Sequence, residues 1–144
     1  MRNARAFVCV VALGLASCMN DVWELRDAAR GAEAEVASHH TAIAGMTFMA
    51  QAQLELDRHE IALDADLGHI RWHLRDMQWN CSDWDLNRLW SVIDQLQERF
   101  DTYVSDTATM GDMASLRLVC DDYAADMASL FDTLDRRLDS MWCW

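Results

Sequence analysis

The chain contains no proline and no lysine, and only five glycines among 144 residues. Without proline nothing forces a helix to break, and so few glycines leave few ready turns, so long helices are favoured. Arginine is the only basic side chain apart from histidine. Asp and Glu outnumber it 24 to 12, for a net charge of −12. Phosphate binding needs a basic footprint, which argues against nucleic acid as a partner and against direct attraction to an anionic membrane face. No segment alternates with period two for long enough to argue a strand, and there is no internal repeat or low-complexity tract. Catalytic signatures are also missing. There is no glycine-rich phosphate loop, no Gly-x-Ser-x-Gly elbow, no Cys-x-x-Cys-His and no paired Glu-x-x-His of di-iron bundles. The chain reads as a non-enzyme.

What is present begins at the N-terminus. Arg2 and Arg5 flank the start of an apolar run at residues 6–16, too short to span a bilayer. A charged start and such a run have the anatomy of a secretory signal. The run ends in Leu15-Ala16-Ser17-Cys18, which resembles the lipobox of bacterial lipoproteins. The resemblance covers residues 1–18. It implies cleavage before Cys18 and acylation of that cysteine, palmitate included. Met19 follows the cysteine where an aspartate would imply retention at the inner membrane. The resemblance therefore implies an outer-membrane lipoprotein of the cell envelope, facing the periplasm or the cell surface. An ordinary signal peptide with a chance cysteine at the cut is the alternative. On the lipoprotein reading, residues 1–17 are signal and 18–144 form one helical domain, large enough for a core. Loss of Arg2 and Arg5 makes that domain still more acidic. No second apolar run reaches transmembrane length.

Apolar spacing is helical almost throughout. One stripe runs Val22, Leu25, Ala29, Ala32, Val36, His39, Ile43, and a second runs Met49, Gln53, Leu56, Glu60, Leu63, Leu67, Ile70, Leu74. The rhythm slips near Gly45, and Thr47 is a candidate N-cap there; a rival break sits at 64–66. Ser82 with Asp85 resembles a capping box at a clear boundary, and 105–112 is another. Two further stripes follow, through Leu86 to Tyr103 and through Met113 to Met141. The expected fold is all-α: an up-down-up-down four-helix bundle with helices near 20–44, 48–79, 84–104 and 110–142.

Of five cysteines, Cys9 leaves with the signal and Cys18 takes lipid on the lipoprotein reading. The bundle places Cys81 and Cys143 at one end, with Cys120 ten residues, about 15 Å, from the other end of the fourth helix. A disulfide needs Cα atoms within about 7 Å. Cys81–Cys143 is therefore the expected pair, with three free thiols as the alternative. Trp79, Trp84, Trp142 and Trp144 bracket this pair. They read as a hydrophobic plug, an interfacial belt or a partner-binding patch.

All five histidines lie between 39 and 73. Glu35 with His39 and Glu55 with His59 are spaced i,i+4, and the hairpin about residue 46 brings the two pairs to one level. On the second helix His59 belongs to a polar stripe beside the apolar one. A metal site of Glu35, His39, Glu55 and His59 follows as a hypothesis, with His40 or Cys120 as an extra ligand. Its donors suit zinc, copper or nickel. The segment from His39 to Met46 has a slight similarity to small periplasmic His-His helical domains linked with copper. The methionine those domains carry before the pair is missing, and no ligand is transferred. Surface Glu–His pairs that bind nothing are the alternative. If His59 is a surface ligand, His59→Ala should leave folding nearly intact.

Two functions remain. The first is a lipid-anchored structural or interaction module, held to the membrane through its anchor and meeting an unknown envelope protein. The second is a lipoprotein that senses or sequesters a transition metal.

Overall fold

Helical periodicity builds four long helices. The computed structural model describes residues 3–79, 81–141 and 143, with side chains described from residue 20 onward. Helix α1 spans Asn3–Gly45, α2 Met49–Asp76, α3 Asp83–Thr107 and α4 Met113–Asp139. A short 3₁₀ turn, Met77–Trp79, extends α2. Each helix packs against two neighbours in a closed ring, α1 on α2 and α4, α3 on α2 and α4. Short connections make successive helices antiparallel, giving the up-down-up-down four-helix bundle that the sequence predicts. The turns after α1 and α3 define the upper end. The N-terminus of the bundle, the α2–α3 link and residue 143 define the lower end.

The helix ends follow local chemistry. Ser82 caps α3, its hydroxyl accepting the Asp85 N–H at 3.2 Å and donating to the Asp85 carboxylate at 2.7 Å. Asp112 caps α4 by accepting the Ser115 N–H at 2.8 Å, and that bond holds its carboxyl below the usual aspartate range. Arg136 and Arg137 sit in the last turn of α4, where positive charge suits the helix dipole. The upper α1–α2 turn departs from the expected cap. Phe48, not Thr47, is the N-cap of α2, and no side chain caps it. The turn is tied down instead by the Arg117 guanidinium of α4, which donates to the Met46 carbonyl. No break occurs at 64–66, since α2 runs through it.

The apolar stripes meet in one core. Leu25, Val36, Ile43, Leu63, Leu67, Ile70, Leu89, Ile93, Leu96, Leu116, Met127 and Leu134 are all buried. Each large aliphatic side chain so buried contributes about 1.5–3 kcal/mol. One stripe differs in phase from the sequence expectation. In the upper half of α2 the inward positions are Ala52 and His59, while Gln53 and Glu60 are exposed.

Cys81 and Cys143 are joined at the lower end by a disulfide that closes a 62-residue separation, with a single antiparallel bridge pairing their backbones. Cys120 is a buried free thiol. The link fastens the C-terminal end of α4 to the start of α3. Closing a loop of this length should stabilise by about 4 kcal/mol through the unfolded chain. Cys81→Ser, or reduction of the wild type, should lower the denaturant midpoint accordingly, while a midpoint indifferent to reductant would show that the bond carries no stability.

Candidate functional site

Two imidazoles sit in the bundle core. His39 of α1 and His59 of α2 are 0% and 1% exposed. Their rings stack face to face, with centroids 3.9 Å apart and an 8° angle between planes. A buried polar group costs several kcal/mol unless it is hydrogen-bonded, and here all four ring nitrogens have partners. His39 Nδ1 donates to Glu55 at 3.1 Å, and the Tyr103 hydroxyl donates to its Nε2 at 2.7 Å. His59 Nδ1 donates to Glu35 at 2.9 Å, and the Tyr123 hydroxyl meets its Nε2 at 3.0 Å. The carboxylates decide these roles. An ionised carboxylate only accepts, so Nδ1 carries the hydrogen and Nε2 of the neutral ring accepts from tyrosine.

The result is two crossed Glu–His–Tyr relays. Each carboxylate comes from the helix opposite its histidine: Glu35 of α1 serves His59 of α2, and Glu55 of α2 serves His39 of α1. The tyrosines, from α3 and α4, stack as well, with centroids 4.0 Å apart and 11° between planes. Arg58 closes the outer end. Its guanidinium reaches Glu35 at 3.1 and 2.9 Å and Glu55 at 2.8 and 2.6 Å. A depression of about 230 Å³ between α2 and α3 reaches His59 and Tyr103, but their polar atoms are already committed to the relays.

The electrostatics follow from this packing. Burial, reinforced by the neighbouring His59, lowers the His39 imidazole to about 4 from an ordinary 6.5. Burial also lowers His59, against the opposing hydrogen bond to Glu35. Burial alone would raise the Glu35 carboxyl, but hydrogen bonds from Arg58 and His59 outweigh it and hold it below its ordinary value. The Arg58 hydrogen bond lowers Glu55 in the same way. Burial raises both tyrosines and Cys120. Two neutral imidazoles therefore lie between two ionised carboxylates and two protonated phenols. The site holds protons firmly and offers no activated nucleophile.

The sequence brought the right four residues together. Glu35, His39, Glu55 and His59 do converge. Their nitrogens, however, face tyrosines and carboxylates, and among the described residues no group of three or more His, Cys, Asp or Glu is arranged to hold a metal ion. His40 lies apart at the surface, 2.7 Å from Asp121 of α4. Cys120 neighbours Tyr103 rather than the imidazoles. The Cys18 side chain lies outside the described residues, as do Trp142 and Trp144. Tyr103, Tyr123 and Arg58 were not singled out from the sequence as site residues. A usable signal existed, because both His–Tyr pairs are separated by the same 64 residues.

No protein-family model matches the chain, and no curated protein or solved structure shows significant similarity to it. The relays thus rest on this chain's own geometry.

His59 is a core residue, which corrects the surface placement and its consequence for folding. His59→Ala removes a buried ring and strands the Tyr123 hydroxyl, so it should cost about 2–4 kcal/mol, read from denaturant unfolding. A variant as stable as wild type would overturn the relay geometry. The fold favours neutral His39, so the unfolded chain binds more protons between pH 6.5 and about 4. Stability should be level above pH 6.5 and fall by roughly 3 kcal/mol as the pH drops toward 4. Protonation of Glu35 and Glu55, both held below 4.5, adds to the loss at the acid end. Melting temperature against pH reads this directly, and a flat profile from pH 7 to 4.5 would contradict it.

Proposed function

We propose that this chain is a lipid-anchored lipoprotein of the cell envelope whose helical body is a structural or interaction module, working through its surface and not through chemistry at its centre. One observation carries this reading. The polar centre is closed: every nitrogen of the two stacked imidazoles already has a partner. Such a centre specifies a fold and leaves the outer surface to meet partners. The anchor itself rests on the lipobox resemblance ending at Cys18. Among the described residues no helix is long and apolar enough to cross a membrane, so the acyl chains supply the attachment in this reading. Each buried methylene adds about 0.8 kcal/mol, and several chains hold firmly.

A second reading keeps zinc, copper or nickel. It is favoured by the carboxylate on each Nδ1, the partner that metal-ligating histidines commonly have. A metal at Nε2 would have to displace the Tyr103 or Tyr123 hydroxyl.

Two measurements test these readings. Expressed in a bacterial host with labelled palmitate, the wild-type chain should incorporate label and Cys18→Ala should not. Label retained by the variant would remove the anchor. A thermal melt with each ion should show no shift on the module reading. Ligand at a hundred times its dissociation constant would raise stability by about 2.7 kcal/mol. A shift lost in both His39→Gln and His59→Gln would replace the module with the metal binder.

A further inference from the structure

We infer that the lower end of the bundle is a seat for the lipid–water interface, in which a collar of exposed tryptophans lies in the headgroup layer and holds the body upright on the bilayer. The inference rests on the lipid-anchor reading above and adds what the body does at the membrane. Residues 20–31, 65–95 and 130–141 make up the lower half of the described bundle, and Trp23, Trp72, Trp79, Trp84 and Trp90 fall within it. Trp23, Trp72, Trp79 and Trp84 are 61, 60, 80 and 65% exposed. They come from three of the four helices, α1, the foot of α2, and α3, at the same end of the bundle. A single protein partner docks on one side, whereas a bilayer surface meets every side at one level. Indole is the side chain that favours the headgroup region, with an apolar ring and one polar N–H.

The heights agree. Trp23 lies five residues beyond Cys18 on the same continuous helix, about 8 Å along its axis. The headgroup layer on each side of a bilayer is roughly 5–8 Å thick. An acyl anchor at Cys18 therefore brings the collar to the interface without unwinding the helix. Trp79 at the foot of α2 and Trp72 two turns above it span about 10 Å, so with Trp79 in the headgroup layer Trp72 meets its outer edge.

Charge is distributed in the same sense. The lower half, as bounded above, carries seven arginines against eleven acids, and residues 32–64 with 96–129 carry three against thirteen. The charges on the last turns of α4 are paired. Arg26 joins Asp135 and Asp139, Arg136 joins Asp132, and the Arg88 guanidinium lies 4.3 Å over the Trp84 ring. This end has no basic surplus to capture anionic lipid, so its partner is the interface of a largely zwitterionic leaflet, bound through indole.

The test uses lipidated protein reconstituted into phosphatidylethanolamine and phosphatidylcholine vesicles. Part of the lipid is brominated either close to the headgroup or deep in the acyl chain. Shallow bromine should quench roughly half of the tryptophan emission and deep bromine much less. High salt should leave the quenching unchanged. Trp79→Ser with Trp84→Ser, both at exposed positions, should keep the wild-type melting temperature and lose much of the shallow quenching. Protein that floats with the vesicles but is not quenched overturns the seat and leaves the anchor standing. Protein that neither floats nor is quenched overturns both. A cross-linked dimer with unquenched tryptophans would assign the collar to a second copy and overturn the seat.

Discussion

Two imidazoles buried face to face make demands that the rest of the bundle has to meet. Each ring brings one donor and one acceptor into a space where water cannot serve them. The four partners that answer come from all four helices: Glu35 from α1, Glu55 from α2, Tyr103 from α3 and Tyr123 from α4. A slide of any helix by one residue moves its side chain about 1.5 Å along the axis, enough to break the corresponding bond. Apolar packing alone tolerates such slips far better, because one leucine replaces another at little cost. The relays therefore act as a register lock in the middle of an otherwise aliphatic core. Arg58 completes the lock at the surface, since it holds both carboxylates ionised and oriented toward their histidines.

The lock also decides what the centre can do. Stacked rings at 3.9 Å cannot both carry charge without strong repulsion, so burial and mutual proximity push in the same direction, toward neutrality. A neutral imidazole flanked by a carboxylate resembles half of a catalytic triad. Here the hydroxyl it faces is a phenol whose ionisation burial disfavours further. The same parts that activate a nucleophile in a cleft become a structural clamp when sealed.

Much of this was legible before any coordinates. The 3.6-residue rhythm gave four helices, and their antiparallel order placed Cys81 beside Cys143. Ser82 announced its own cap. The level of Glu35, His39, Glu55 and His59 followed from reflecting α2 about the hairpin. What failed was phase and partnership. Ala52 and His59 are a small residue and a polar one, so hydropathy points away from the positions they occupy, and Gln53 and Glu60 inherited their place in the stripe. Tyr103 and Tyr123 looked like ordinary core aromatics because a stripe records burial and says nothing of where a hydroxyl points. The missing cap at Thr47 has a similar cause. The Arg117 guanidinium that holds this turn arrives from 71 residues away, beyond any local pattern.

A sealed centre shifts attention to the ends, and these differ in kind. The α2 helix alone, 28 residues, is about 42 Å long, several times the Debye length of about 8 Å at physiological salt. In the membrane-seated arrangement inferred above, acidic residues at the upper end lie several Debye lengths from the bilayer. In that arrangement acid at the upper end carries no penalty from the bilayer. Acids at the lower end have no such freedom. Close to a surface each would be repelled by anionic lipid or would lose hydration, and there Asp132, Asp135 and Asp139 are paired with Arg136 or Arg26. The membrane seat inferred above would place three separate features of the sequence on one axis: the exposed tryptophans, the crowding of arginine at the same end, and an acidity that increases away from Cys18.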